Sequence, residues 1–242
     1  MTTVLKLGGS VITEKDVPET VDDEALRMAA ATLADHEDLA VVHGGGSFGH
    51  HHADRHGVTT TEGTSDAAAI RDIHGAMTRL NGIVIEALVE AGVAALPVHP
   101  VSVARRDAEA TLTLPTGGVR AMLSEGFVPV LHGDGVVHAD RGTTVLSGDE
   151  LVVHLAEELD ADRVGVCSAV PGVHEGDGGV IDRIESFEAV ADALGGSDAI
   201  DVSGGMAGKV RALLGLEAPA HVFDLDGLEA FLEGGEPGTR IG

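Results

Sequence analysis

The chain holds three lysines, Lys6, Lys15 and Lys209, among fifteen basic residues, and all three lie in or beside glycine-rich segments: "KLGGS", "ITEKD" and "DVSGGMAGKV". An ammonium is a compact point charge suited to phosphate oxygens, a task for which the planar arginine fork is no direct substitute. Glycines placed after a strand remove side chains, so backbone N–H groups can approach an anion closely. A third run, "VVHGGGSFGHHHADRH" (41–56), sets histidines behind such glycines. His50 directly follows Gly49 and is the best placed of them to donate a hydrogen bond to an anion held by the glycine amides. Lys209 stands one helical turn after two glycines, a placement that suits β- and γ-phosphate oxygens. Lys6 ends a strand and would point into the crevice that the Gly8-Gly9-Ser10 turn lines.

Other chemistries fit these residues less well. Gly44-x-Gly46-x-x-Gly49 formally matches a dinucleotide-binding fingerprint, but that fingerprint opens on the first strand of its fold, and here the first strand carries a different turn. No Gly-Lys-Ser/Thr follows the glycines, so there is no P-loop. His52 and His56 are spaced to share a helical face, yet no third ligand at a recognised spacing accompanies them, and no metal site is expected. His51, His52 and His56 are read as exposed or helix-capping, and His132 either as a strand-end packing residue or as a ligand. Asp134, Asp149 and Asp201 each adjoin a glycine or strand-end motif. They could orient lysines or hold Mg²⁺, or they could cap a helix or turn.

Strand and helix signals alternate along the chain. Short apolar strands are expected at 3–7, 39–43, 94–98, 128–132, 162–167 and 220–224. Helices are expected at 22–36, 65–91, 149–159, 186–194, 206–216 and 226–234. This order predicts an α/β fold with an open, mainly parallel central sheet and helices on both faces. Glycine turns fall just after strands, where open α/β sheets place their ligands. A soft division lies near residue 146, separating an N-terminal lobe (1–146) from a C-terminal lobe (147–242). On the long helix Ile70, Ile73, Met77 and Leu80 form an apolar stripe that reads as core. Its first turns follow the His50 segment closely and could also wall a pocket.

Composition narrows the function further. With 43% hydrophobic residues in 242 and no Trp or Tyr, the chain can build a large core from Ala, Val and Leu. Forty acidic against fifteen basic residues give a formal net charge of −25, which disfavours nucleic-acid and anionic-membrane partners. Acidic residues spread along the whole chain with few lysines suit a high-salt cytoplasm, where charge repulsion is screened within roughly 3 Å at 1 M salt. The N-terminus lacks a signal-peptide pattern, no apolar run approaches a membrane span, and a single cysteine, Cys167, suits a reducing compartment. A cytoplasmic protein is expected.

"KLGGSVITEKDVPET", "VHGGGSFGH", "VPVLHGDGVV", "LSGDELV" and "IDVSGGMAGKV", in this order and nearly end to end, resemble the amino acid kinase superfamily and, within it, the archaeal isopentenyl phosphate kinases. The Gly-His ending of the second motif distinguishes phosphate-accepting members from those that phosphorylate carboxylates. The resemblance implies an αβα sandwich, a homodimer, and ATP- and Mg²⁺-dependent phosphorylation of isopentenyl phosphate to the diphosphate in isoprenoid synthesis, with dimethylallyl phosphate and related alkyl phosphates as further acceptors. It implies that Lys6 and Lys15 contact the transferred phosphoryl group, and that Gly8, Gly9 and Ser10 cradle ATP phosphates. Gly45, His50 and Gly148 would hold the substrate phosphate, Gly46 would face ATP, and Gly205 and Lys209 would lie on the nucleotide. Ile73, Met77 and Leu80 would line the prenyl pocket. One departure stands in the nucleotide-side loop, where "SAVPGV" (168–173) replaces an aspartate-bearing stretch. A carboxylate kinase acting on N-acetylglutamate is the alternative inside the superfamily. A non-catalytic nucleotide sensor and a dinucleotide oxidoreductase are the alternatives outside it.

Overall fold

The computed structural model describes residues 1–175, 178–194 and 205–242. In chain order the first elements are β1 (Thr3–Leu7), α1 (Gly9–Ile12), α2 (Asp23–Leu33), β2 (Leu39–His43), α3 (Gly46–His56), α4 (Ala67–Glu90) and β3 (Ala95–Val98). There follow β4 (Arg105–Arg106), β5 (Leu112–Thr113), α5 (Gly117–Ser124), β6 (Val128–His132), β7 (Asp134–His138), β8 (Gly142–Leu146) and α6 (Gly148–Glu158). The chain closes with β9 (Arg163–Cys167), β10 (Arg183–Ile184), α7 (Ala191–Leu194), α8 (Gly205–Leu214), β11 (Ala220–Phe223), α9 (Leu228–Leu232) and β12 (Thr239–Ile241).

Eight strands form one sheet in the order β10-β12-β11-β9-β1-β2-β6-β3. All its pairings are parallel except β11 with β12. Strands buried on both faces read as near-continuous apolar runs, and β1 shows how the two faces are divided. Val4 belongs to the core layer built with α6 and α8, while Leu5 and Leu7 belong to the layer built with α2, α4 and α9. By the two-residue period of a strand, Lys6 therefore faces the α6 and α8 side. β1 pairs with β2 on one edge and with β9 on the other, so segments before and after residue 146 join along it in a single sheet.

Helix starts follow their caps. Asp22 accepts from Ala25 N at 3.0 Å and Asp66 from Ala68 N at 2.8 Å, each satisfying an otherwise orphaned donor of the first turn. The expected helix over 186–194 is helical only at Ala191–Leu194; Glu188–Val190 form a turn instead. A second sheet, β5-β4-β7-β8, had no counterpart in the sequence reading. Two of its strands are two residues long. The β7–β8 hairpin turns through Gly142 at φ +75°, a left-handed conformation that favours glycine, and its second strand bridges Thr64 just ahead of α4. Among the described residues no helix is long and apolar enough to cross a membrane.

Candidate active site

Lys6 leaves β1 on the α6 side and meets the first turn of that helix. Its Nζ lies 2.7 Å from Asp149 Oδ1, and Lys209 Nζ of α8 lies 3.0 Å from the same oxygen. The helix cap is a different residue: the Ser147 hydroxyl accepts from Glu150 N at 3.2 Å, which frees the Asp149 carboxylate for the two ammonium groups. Of the readings open to Asp149, lysine orientation is the one realised. Lys6 is 7% exposed. Burial pulls its pKa down to about 8 against the raising effect of Asp149, with Lys209 adding to the fall. Burial alone would raise the Asp149 pKa, but the two ammonium charges outweigh it and hold it at about 2. Gly148 adds to the closeness, since a Cβ there would stand 3.2 Å from Lys6 Cε and 3.7 Å from Gly44 Cα.

If Lys6 must be charged to act, activity falls as pH rises through about 8, the folded pKa of Lys6. Asp149→Asn removes the charge that raises this pKa, so the alkaline limb of kcat/KM should move to lower pH while the maximum falls. A pH–rate profile of the two proteins measures both.

The first two glycine turns meet face to face. Gly44 N donates to Leu7 O at 3.0 Å, Gly8 N to Cys167 O at 2.9 Å, and a Cβ on Gly9 would overlap the backbone of Gly46. Gly46 itself sits at φ +48°. The amides of Gly9, Ser10, Gly45 and Gly46 have no hydrogen-bond partner among the described residues. Those of Gly45 and Gly46 open the 11-residue α3, whose partial positive end favours anions. Gly9→Ala must force the turns apart, and it is expected to cost at least about tenfold in activity through a shift of this order of an ångström. Steady-state rates checked against Tm separate that loss from unfolding.

His50 lies one turn beyond Gly46 on the same helical face and is exposed. Lys15 is exposed on the turn between the bridged residues Thr13 and Val21, and makes no ion pair among the described residues. The geometry thus assembles Lys6, Lys209 and the glycines and leaves Lys15 outside that ion-pair cluster. Its turn is nonetheless pinned. Glu19 N donates to Ser47 O at 3.3 Å, and Glu19 Oε1 meets His52 Nε2 at 2.5 Å and Arg79 Nη2 at 2.6 Å.

His52 corrects the sequence reading, which made it exposed or capping. It is 6% exposed, and its Nδ1 lies 2.8 Å from Asp72 Oδ2, which His56 Nε2 also contacts at 2.8 Å. His52 and His56 do share a face, but they converge on a carboxylate of α4 and hold Asp72 to about 2. His51 is exposed as expected.

Met77 underlies the glycine turn: a Cβ on Gly45 would stand 3.4 Å from its Sδ and one on Gly49 2.8 Å. Ile73 and Leu80 are buried on the same stripe of α4, Leu80 completely. Gly205 begins α8 at φ +59°, one turn before Lys209, and the walls of a cleft of about 420 Å³ between α6 and α8 include Ser147, Asp149 and Lys209. Asp201, Ser203 and Gly204 lie outside the described residues. In the "SAVPGV" loop, Val173 N donates to Thr239 Oγ1 at 2.8 Å, so the altered loop packs onto β12. A buried and a partly buried ammonium group on one carboxylate, beside facing turns with open amides, suit a pair of phosphate groups meeting end to end.

Comparison with known proteins agrees with this chemistry. The chain matches the amino acid kinase family over residues 1–218. It is 60% identical to the isopentenyl phosphate kinase of Haloferax volcanii across 98% of this chain and 97% of that one. The isopentenyl phosphate kinase of Methanocaldococcus jannaschii is 33% identical, with 93% and 91% covered. A crystallographic isopentenyl phosphate kinase superposes with a TM-score of 0.86 at 30% identity, over the full length of both chains. The chain belongs to the amino acid kinase family and, within it, to the isopentenyl phosphate kinases.

Proposed function

We infer that the protein transfers the γ-phosphoryl group of ATP to isopentenyl phosphate, giving isopentenyl diphosphate for isoprenoid synthesis. The observation that carries the reading is the pairing of Lys6 and Lys209 on Asp149 beside the open amides of two touching glycine turns. An alkyl phosphate has a second pKa of about 6 and is already a nucleophile at neutral pH, so no general base is needed. Catalysis reduces to alignment and charge neutralisation of an in-line transfer.

In this reading Gly8, Gly9, Ser10 and Gly46 face the ATP phosphates, and Gly205 and Lys209 hold the nucleotide at the α6–α8 cleft. Lys6 neutralises the transferring group. Lys15, carried on the turn that Glu19 ties to α3 and α4, reaches the transition state from the other side. Gly45, His50 and Gly148 hold the acceptor phosphate. Ile73 and Met77, backed by Leu80, meet the prenyl tail. Mg²⁺, when bound with the nucleotide, would supply further positive charge to the phosphates. In this reading Mg²⁺ is held mainly by the nucleotide's own oxygens; among the described residues no group of three or more His, Cys, Asp or Glu is arranged to hold a metal ion.

The reading places acceptor binding and dimerisation in residues 1–146 and nucleotide binding in 147–242, in a cytoplasmic homodimer that also accepts dimethylallyl phosphate. Light scattering tests the dimer. Phosphorus NMR of a reaction with isopentenyl phosphate tests the function: the acceptor's single resonance should give way to the coupled pair of a diphosphate. Conversion of ATP to ADP without that pair would refute it.

A further inference from the structure

Strands β2 and β6 both end in His-Gly, and the two imidazoles make the same contact. His43 Nδ1 lies 3.1 Å from the Gly44 carbonyl oxygen, and His132 Nδ1 lies 2.9 Å from that of Gly133. A carbonyl only accepts, so each Nδ1 carries a proton. The two rings are in register across the sheet, fully buried, and stacked with centroids 5.5 Å apart. Burial pushes both pKa values down, that of His132 to about 3, so neither ring takes a second proton near neutrality and each Nε2 is an acceptor. His99 Nδ1, 2.9 Å from His132 Nε2, is then a donor. The Asn81 amide, whose oxygen stands 3.1 Å from His43 Nε2, meets the ring correctly when turned by 180° to present its NH₂.

This arrangement fixes one peptide plane of the acceptor turn. In a trans peptide the carbonyl and the N–H point in opposite directions. The plane between Gly44 and Gly45 has glycine on both sides and is the easiest kind to rotate. Its carbonyl edge is held by His43, and its N–H edge, on Gly45, has no partner among the described residues. We propose that His43 is a positioning residue for the acceptor: its Nδ1–H holds the Gly44 carbonyl and thereby turns the Gly45 N–H toward the acceptor phosphate. Asn81 lies on α4 four residues beyond Met77, so the helix that underlies the turn also contacts the ring that aims it. The inference rests on the phosphate-acceptor reading above.

Two isosteric variants separate this role from packing. In His43→Asn an amide NH₂ replaces Nδ1–H near Gly44 and the Asn81 contact is lost. His43→Gln reaches Asn81 and loses Gly44. Both lose the stacked ring, so both should lower Tm. His43→Gln should cut kcat/KM for isopentenyl phosphate by about 10²-fold, the scale of a misplaced donor, chiefly through the acceptor KM, with the ATP KM unchanged. His43→Asn should recover most of that loss.

A readout independent of turnover is the ¹⁵N-labelled Gly45 amide. Its resonance should move on adding isopentenyl phosphate in the wild type and in His43→Asn, and stay still in His43→Gln. Equal losses in both variants, a wild-type-like His43→Gln, or a wild-type Gly45 amide indifferent to isopentenyl phosphate would overturn the proposal. If the wild type fails to turn over while the amide pattern holds, the positioning role stands and the reaction assignment falls.

Discussion

Lys6→Met should lower kcat/KM by about 10³-fold or more, on the scale of removing a cationic group from a phosphoryl-transfer site. The side chain is buried, pairs with Asp149 at 2.7 Å and shares that carboxylate with Lys209. Methionine keeps the length and the apolar stem, so the loss reports the charge. It also leaves Lys209 as the sole cation on Asp149, so nucleotide binding should weaken far less than turnover. Single-turnover rates at saturating ATP, set beside nucleotide Kd, separate the two. A Lys6→Met protein within a factor of ten of the wild type would remove Lys6 from the chemistry.

His50→Ala is the second large effect. The exposed imidazole follows the unpartnered amides of Gly45 and Gly46 by one helical turn, and in the proposed reading it donates to the acceptor phosphate beside Gly45. Deleting one such donor from a transition-state site costs about 10²–10³-fold. Because the acceptor is already dianionic, the role is alignment, so His50→Asn, which keeps a donor, should recover part of the rate. The loss should appear in the acceptor KM and in kcat, with ATP binding unchanged. Steady-state kinetics of the three proteins with isopentenyl phosphate measure it, and near-full activity of His50→Ala would end the assignment.

The elements that build this site differ in how legible they were. β1, β2, β6 and β9 are short apolar runs ending in glycine or turn residues, and their positions are read from sequence within a residue or so. The lysines stood out because the chain spends so few. Asp149 was singled out beside a glycine motif but left open between orienting lysines, holding Mg²⁺ and capping, because its place on a first helical turn fits a cap equally well. Only the geometry shows Ser147 capping and Asp149 bridging. The second sheet was hidden because two of its strands are two residues long and carry no periodicity, and because a single residue separates its five-residue β7 from the end of β6. His52 was misread because its partners, Glu19 on the turn before α2 and Asp72 on α4, lie 33 and 20 residues away and reach it only through tertiary packing on α3. His43 and His132 carried a repeated His-Gly signal in plain view, but its meaning depends on ring direction, which spacing does not encode.

The most direct test of the account is acceptor-dependent ADP release from MgATP in concentrated KCl. The acceptors are isopentenyl phosphate, dimethylallyl phosphate and N-acetylglutamate, with a blank that holds none. The account predicts release with isopentenyl phosphate, a smaller response with dimethylallyl phosphate, and only the blank rate with N-acetylglutamate. Release driven by N-acetylglutamate alone would keep the fold and contradict the phosphate acceptor, and with it the roles given to His50 and Gly45.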